Sequence, residues 1–343
     1  MNPTPNRYRP TWKLAVPLAV ILLVIANGPR ASIEPELPPG SARITRASAF
    51  PESLSAWPAW LQAHEQRAGV TDTGKMARVV FATPSAPART PWSVVYLHGF
   101  SATRQETAPV SEQVAAALGA NLFEARLRGH GLPGDSMGVA TARDWIAGAE
   151  DALALGTRLG DSVLVIATST GGTLTAWLAA HPDVQRGALR RIALISPNFG
   201  VNGATSAVLS WPWAPVVLPR LIPSYSWTPR NEAHGRYWTT SYPSRALFPM
   251  TALVDAVHAL PLREWTIPTL LLFNRADPVV DASAIEAFAS RLGEEAPARV
   301  EVEPITPASG EDGHVIAGRI TAPSQVTPFV ERIVRFVRGE PAR

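Results

Sequence analysis

Three side chains of this sequence, a hydroxyl, a carboxylate and an imidazole, can together carry out acyl transfer. Ser169 stands in the string Ala167-Thr168-Ser169-Thr170-Gly171-Gly172. Asp277 follows 108 residues later in Arg275-Ala276-Asp277-Pro278, and His314 a further 37 residues on in Gly310-Glu311-Asp312-Gly313-His314. A serine hydroxyl is a weak nucleophile near neutral pH. It needs a base to take its proton, and an imidazole base needs a carboxylate to orient it and steady its charged form. One recurrent arrangement of such groups has the chain order Ser, acid, His, each on a loop at the C-terminal end of a strand. All three residues follow strand-like runs. Asp281 is the rival acid, but it directly precedes a helical pattern, where an N-cap role suffices; Asp277 is the better placed.

The surroundings of Ser169 fit a nucleophile elbow. In such a strand–turn–helix the serine takes a strained backbone angle, so the residues two before and two after it must be small. Ala167 and Gly171 meet that requirement, and Gly172 continues the tight turn. A tetrahedral oxyanion also needs preorganised N–H donors. The N–H of Thr170, next to the nucleophile, and that of Phe100, in Tyr96-Leu97-His98-Gly99-Phe100 at the end of an earlier strand, are the expected pair. His98 precedes Gly99 in that loop and is expected to brace it through hydrogen bonds rather than act as a base.

The elements that must position these groups alternate between short β-rich apolar runs and helical patterns from about residue 78 onward. That is the pattern of an α/β fold with a mostly parallel sheet covered on both faces. The runs predict strands over 78–83, 93–97, 121–127, 162–168, 191–196, 269–274 and 300–305. The intervening periodicity predicts helices over 111–118, 142–159, 173–180, 282–292 and 326–338, preceded by a helix over 52–67. Asp144, Glu150 and Asp151 are expected on the solvated face of the helix over 142–159. Between the strands ending near 196 and starting at 269 lie too many residues for a loop. Residues 201–265 carry Trp211, Trp213, Trp227, Trp238 and Trp265, five of the 11 tryptophans, with eight prolines, and are expected to form an inserted cap.

Residues 1–27 combine a basic flank (Arg7, Arg9, Lys13) with an apolar run over 14–26, shorter than the roughly 20 residues of a comfortable membrane span. They are expected to be a signal peptide or an uncleaved N-terminal anchor, followed by a Pro-rich linker over 28–50, with the rest exported across the inner membrane. The 343 residues are 46% hydrophobic and 17% charged, the composition of a folded chain. With 31 Lys and Arg against 28 Asp and Glu there is no cationic excess for a phosphate backbone, so nucleic acid is not an expected partner. The absence of cysteine removes disulfides, thiolate metal sites and a cysteine nucleophile. The string Gly129-His130-Gly131-Leu132-Pro133-Gly134 spells a dinucleotide fingerprint, but no helix opens within it and the next strand ends without a carboxylate. No phosphate loop and no zinc-binding HExxH helix is present, and no metal is expected.

Taken with His98-Gly99-Phe100, Arg128-Gly129-His130-Gly131, the elbow at Ser169, Asp277 and His314, the chain over about 76–340 resembles the α/β-hydrolases of the carboxylesterase and lysophospholipase-like group. The resemblance implies an α/β-hydrolase core over 51–200 and 266–340, a cap inserted before the strand that carries the acid, and a cofactor-free serine hydrolase. Ala167 and Asn274 depart from it, at places where Gly is more usual. The expected reaction is cleavage of small-molecule or lipid esters through a Ser169–His314–Asp277 triad, with membrane association through residues 14–26 a further expectation. A peptidase or amidase of the same fold, or a non-catalytic ligand-binding relative, is the alternative; oligomeric state is not legible. The excess of Arg220, Arg230, Arg236, Arg245 and Arg263 over Glu232, Asp255 and Glu264 disfavours a cap built to hold a substrate's free amine.

Overall fold

Apolar runs rich in Val, Ile and Leu pair edge to edge to build the framework. The computed structural model describes residues 23, 26–33 and 49–341, without the side chains of 204–206. In chain order the strands are β1 (Arg78–Val80), β2 (Thr90–Leu97), β3 (Asn121–Glu124), β4 (Gly160–Thr168), β5 (Leu189–Ile195), β6 (Ser224–Ser226), β7 (Ser241–Pro243), β8 (Thr269–Phe273) and β9 (Val300–Pro304). Among the described residues seven of them form one sheet in the order β1-β3-β2-β4-β5-β8-β9, while β6 and β7 pair separately. β1 is antiparallel to β3 and every other pair in the large sheet is parallel. The mostly parallel α/β sheet anticipated from the alternation is therefore present.

β1 and β3 each stop short of their apolar runs, and within the next three residues a side chain accepts a backbone N–H. β1 ends at Val80, and the Ala82 N–H donates to Asn121 Oδ1 at 3.0 Å. β3 ends at Glu124, and beyond it the Leu127 N–H donates to His98 Nε2 at 3.1 Å.

Alternation along the strands divides the interior into two layers, since successive side chains point to opposite faces. Val95 and Leu97 of β2 join a core with α1 (Trp57–Arg67), α3 (Ala142–Leu159), α4 (Thr170–Ala179), α9 (Leu247–His258) and α10 (Ala282–Glu295). Val94 and Tyr96 join the opposite core, closed by α2 (Val110–Leu118) and α11 (Val326–Arg338) through Val114, Phe329, Ile333 and Val337. α9 comes from the stretch expected to be cap. Leu253 and Val257 are fully buried in the main core, so 201–265 is not a single layer. Its earlier part holds α6 (Ala204–Leu209), α7 (Ala214–Leu221), the β6–β7 pair and α8 (Glu232–Tyr237), and Leu209, Tyr225, His234 and Tyr242 from it line the cavity beside Ser169. The short α5 (Pro182–Gln185) only bridges α4 to β5.

α3 differs from its expected solvated acidic face. Asp144 accepts the Thr141 N–H at 3.0 Å while its own N–H donates to Thr141 Oγ1 at 3.1 Å, a closed capping box, and it pairs with Arg128 at 2.7 Å. Asp151 is buried, and Glu150 is half-buried, its carboxyl pushed up to about 7 by burial and then by the neighbouring Asp151, so the expected solvated acidic face is not formed.

The expected leader over 1–27 lies almost wholly outside the described residues. No helix among the described residues is long and apolar enough to cross a membrane. Residues that follow the apolar run seat on the cap: the Trp213 N–H donates to Pro29 O at 2.8 Å and Arg30 Nη1 to Ser210 O at 2.6 Å.

Because the Thr141 hydroxyl satisfies a first-turn N–H that no helical carbonyl can reach, Thr141→Ala should lower unfolding stability by about 1 kcal/mol with activity retained. Urea denaturation followed by circular dichroism measures this.

Candidate active site

The parallel strands deliver their C-terminal ends to one edge, and the chemistry-bearing side chains gather there. β4 runs directly into α4, and the joint is Ser169, with φ 51° and ψ −118°. This is costly for a residue with a Cβ and survives only where the surroundings impose it. Here they do: the Ser169 N–H donates to Ile195 O at 3.1 Å, and its carbonyl accepts the N–H groups of Gly172, Thr173 and Asn198. The small residues of the elbow have visible reasons. A Cβ on Gly171 would lie 2.3 Å from Leu97 O, and one on Gly172 would lie 2.8 Å from Pro197 Cβ. Ala167, in the last turn of the strand before the elbow, is fully buried.

Ser169 Oγ lies 3.1 Å from His314 Nε2, and His314 Nδ1 lies 2.8 Å from Asp277 Oδ2. All three residues are buried. The second oxygen of Asp277 accepts the N–H groups of Val279 (2.8 Å) and Val280 (3.0 Å), which fixes the carboxylate plane. Asp281 is elsewhere: it caps α10 by accepting the Ser283 N–H at 2.9 Å. Asn274, which departs from the usual glycine, ties the acid loop to the imidazole loop. Its Nδ2 donates to Gly313 O at 2.9 Å while its Oδ1 accepts the Ala276 N–H at 3.0 Å.

Burial pulls the His314 imidazole down, but the Asp277 carboxylate and its hydrogen bond, helped by Glu106 and Asp312, leave it above its ordinary value. The geometry makes Nδ1 the donor to Asp277 and leaves Nε2 facing the Ser169 hydroxyl, the tautomer a general base requires.

The N–H groups of Phe100 and Thr170 have no hydrogen-bond acceptor among the described residues, and Thr170 is the first residue of α4, where the helix leaves such groups unpaired. His98 braces the loop as anticipated. With Nε2 accepting the Leu127 N–H, its Nδ1 donates to Gly99 O at 2.9 Å, and burial lowers its pKa to about 4, so it stays neutral. His130 packs against it at a tilt, 4.8 Å between ring centroids.

Three functional positions were not visible in the sequence. Asp312, two residues before His314, accepts the His314 and Val315 N–H groups and pairs across to Arg230 of the cap at 3.0 Å. Arg230 thereby links the cap to the imidazole loop. Glu106 lines the same cavity as Ser169 and His314. Each belongs to a polar loop whose sequence carries no periodic signal, and only the spacing Asp-x-His hinted at a turn. The cavity, about 450 Å³, is walled by aromatic side chains from the cap, including Tyr225, Trp227, Trp238 and Tyr242, opposite Phe100. Among the described residues no cluster of His, Asp and Glu could hold a metal ion.

A mostly parallel sheet with an elbow serine, and an imidazole and a carboxylate on the following strand ends, defines an α/β-hydrolase. The chain belongs to the family described as serine aminopeptidase, S33, whose model matches residues 88–302. It is 36% identical over 95 residues to a thermostable monoacylglycerol lipase of Bacillus sp. (strain H-257). That stretch is 27% of this chain and 38% of the lipase, well under two thirds of the relative's length. Among solved structures, metagenome-derived lipolytic enzymes (LipS and LipT) superpose with a TM-score of 0.62 at 19% identity, covering 78% of this chain and 99% of theirs. The monoacylglycerol lipase of Paleococcus ferrophilus gives 0.54 at 15% identity, covering 77% and 98%. At those identities the structural likeness shows the fold.

Two measurements follow from the site geometry. Asp277→Asn should lower kcat by on the order of 10³- to 10⁴-fold by losing the orienting acceptor, whereas Asp281→Ala should leave turnover within about twofold and cost only cap stability. In the intact protein kcat/KM should fall on the acid side with an apparent pKa above that of a free imidazole, because the base must be neutral and Asp277 favours its charged form. A pH–rate profile on a soluble ester tests this directly.

Proposed function

We propose that this protein is a serine esterase whose Ser169 attacks a carboxylic ester, with His314 as base and then acid and Asp277 orienting the imidazole. The observation that carries this is the unbroken contact from Ser169 Oγ through the imidazole to Asp277, at 3.1 and 2.8 Å. His314 takes the hydroxyl proton as Oγ adds to the carbonyl carbon, then returns it to the leaving alcohol; water reverses the sequence and frees the acid. The Phe100 and Thr170 N–H groups receive the tetrahedral oxyanion, each contributing on the order of 3 kcal/mol to the barrier reduction. No cofactor enters this scheme.

Lipid esters are the substrate class best supported. The 36% identity to a monoacylglycerol lipase over 95 residues and the aromatic cavity wall favour them. So does the outer surface of the cap, where Trp211, Val217, Leu221 and Ile222 stand exposed, 62% for Trp211 and 72% for Leu221. The chain seats residues 29 and 30 beside this patch, directly after the apolar run 14–26, and no acidic residue occurs in 201–231. An apolar face without carboxylates next to an N-terminal apolar segment suits a lipid surface. Residues 1–27 act in this scheme as an export signal or anchor that leaves the hydrolase outside the inner membrane.

The family description favours a second reading, cleavage of aminoacyl bonds by the same three groups. A free amine would need an accessible carboxylate within the cavity; of the two that line it, Asp312 is paired with Arg230 and Glu106 is buried, 2% exposed, with one oxygen on the Gly99 N–H. That weighs toward esters.

Ser169→Ala should fold normally and lose ester turnover by on the order of 10⁵-fold or more, as removal of a triad serine does elsewhere. Retained hydrolysis refutes the assignment. Profiling p-nitrophenyl esters of graded acyl length beside aminoacyl amides separates the two reactions. Activity on a medium-chain ester should rise as substrate passes into micelles; an unchanged rate speaks against the lipid surface.

A further inference from the structure

Glu106 is the buried carboxyl that the triad chemistry does not use. It is 2% exposed, on the loop between β2 and α2, and lines the cavity with Ser169 and His314. Its Oε2 accepts the Gly99 N–H at 2.7 Å and the Tyr96 hydroxyl at 3.1 Å, and the Tyr96 oxygen is 3.2 Å from Thr168 Oγ1, one residue before the nucleophile. Its Oε1 makes no hydrogen bond to a described residue. A Cβ on Gly99 would lie 2.7 Å from that Oε1 and 2.9 Å from Ser169 Cβ, so the glycine Cα is a thin partition between carboxyl and nucleophile. The backbone of Glu106 is held from behind by the imidazole loop, where a Cβ on Gly318 would sit 2.7 Å from Glu106 O, and the Arg319 N–H donates to Ala108 O at 2.9 Å.

We propose that Glu106 is a positioning residue of the hydrolase site: its carboxylate fixes the Gly99 N–H, and with it the loop that presents the Phe100 N–H, and it stands as a second carboxylate in the cavity that holds His314. This rests on the serine-esterase reading above and adds a residue to it. Gly99 lies between the brace at His98 and the donor at Phe100, so an anchored Gly99 peptide leaves the next N–H aimed at the cavity. An anionic oxygen behind the nucleophile also supports the imidazolium that forms as Ser169 is deprotonated, alongside Asp277.

The ionisable groups that face Glu106 are few. β2 contributes Tyr96, and the imidazole loop contributes His314 and Asp312. β4 and the start of α4 contribute only Thr168, Ser169 and Thr170. Arg104 on its own loop turns away to Met76 O and Glu124, and Arg319 is taken by Gln105. Burial pushes Glu106 up to about 7, so its charge is gained across the neutral range. The sign is definite: a charged Glu106 raises the His314 pKa, and removing the charge lowers it.

The test compares pH–rate profiles of wild type, Glu106→Gln and Glu106→Ala on one soluble ester. Glu106→Gln keeps an acceptor for Gly99 without the charge, and the acid limb of kcat/KM should move to lower pH by about half a unit or more. Glu106→Ala leaves the Gly99 N–H unheld, and kcat at alkaline pH should fall about tenfold or more and further than in Glu106→Gln, with KM within about threefold. A Glu106→Gln profile that superposes on wild type overturns the proposal, and so does full kcat in Glu106→Ala. If Glu106→Ala does not fold, the Glu106→Gln profile decides alone. Loss of turnover in Ser169→Ala is read separately, so an active wild type with a dead Ser169→Ala and unmoved Glu106 variants sinks this inference and leaves the esterase standing.

Discussion

The site depends on one constrained backbone position. Ser169 adopts a positive φ that an ordinary residue avoids, and the cost, of order 1–3 kcal/mol, is offset because its amide and carbonyl are committed to Ile195, Gly172, Thr173 and Asn198. The conformation throws the hydroxyl off the end of β4 and sends the next residue straight into a helix. Its first N–H groups, which have no helical acceptor, then lie beside Ser169. The same turn brings α4 within contact of the β2 loop, where only hydrogen fits at Gly171 against the Leu97 carbonyl. Ser169, the start of α4 and the Gly99–Phe100 loop are thus set by a single turn, and the sheet beneath supplies the rigidity.

Around that turn the other groups are held by polar clips rather than by packing. Asn274 joins the acid loop to the imidazole loop, and Asp312 caps the N–H groups of His314 and Val315 while reaching to Arg230 in the cap. His98 ties the oxyanion loop to Leu127. Such contacts stabilise little individually when solvated, but in a buried site they fix orientation, and orientation is what a proton relay needs. The Arg230–Asp312 pair gives the cap a direct connection to the base, so the placement of the aromatic wall and the placement of the imidazole are not independent.

Much of this was legible in the sequence because it is local. Strand runs, the small residues flanking Ser169 and the order Ser, Asp, His are read along the chain, and Asp277 separates from Asp281 once the helix start at 282 is recognised. What was not legible arises between segments distant in sequence. Just beyond β1 and β3, Asn121 and His98 accept backbone N–H groups, partners that an apolar pattern does not display. Glu106 reads as an ordinary polar loop residue, and only tertiary burial beside Gly99 makes it distinctive. α9 reads as inserted sequence, yet its apolar face completes the main core. Asp151 is likewise drawn inside by packing that helical periodicity alone did not require.

The most direct test of the central claim is covalent. The intact protein is treated with a fluorophosphonate, which reacts with an activated serine as an acyl donor would, and the adduct is mapped by mass spectrometry. A single stoichiometric adduct on the peptide carrying Ser169, lost when His314 is replaced by Ala, is the expected result. No adduct, an adduct on another residue, or equal labelling without His314 would contradict the assignment of Ser169 as a nucleophile activated by that imidazole.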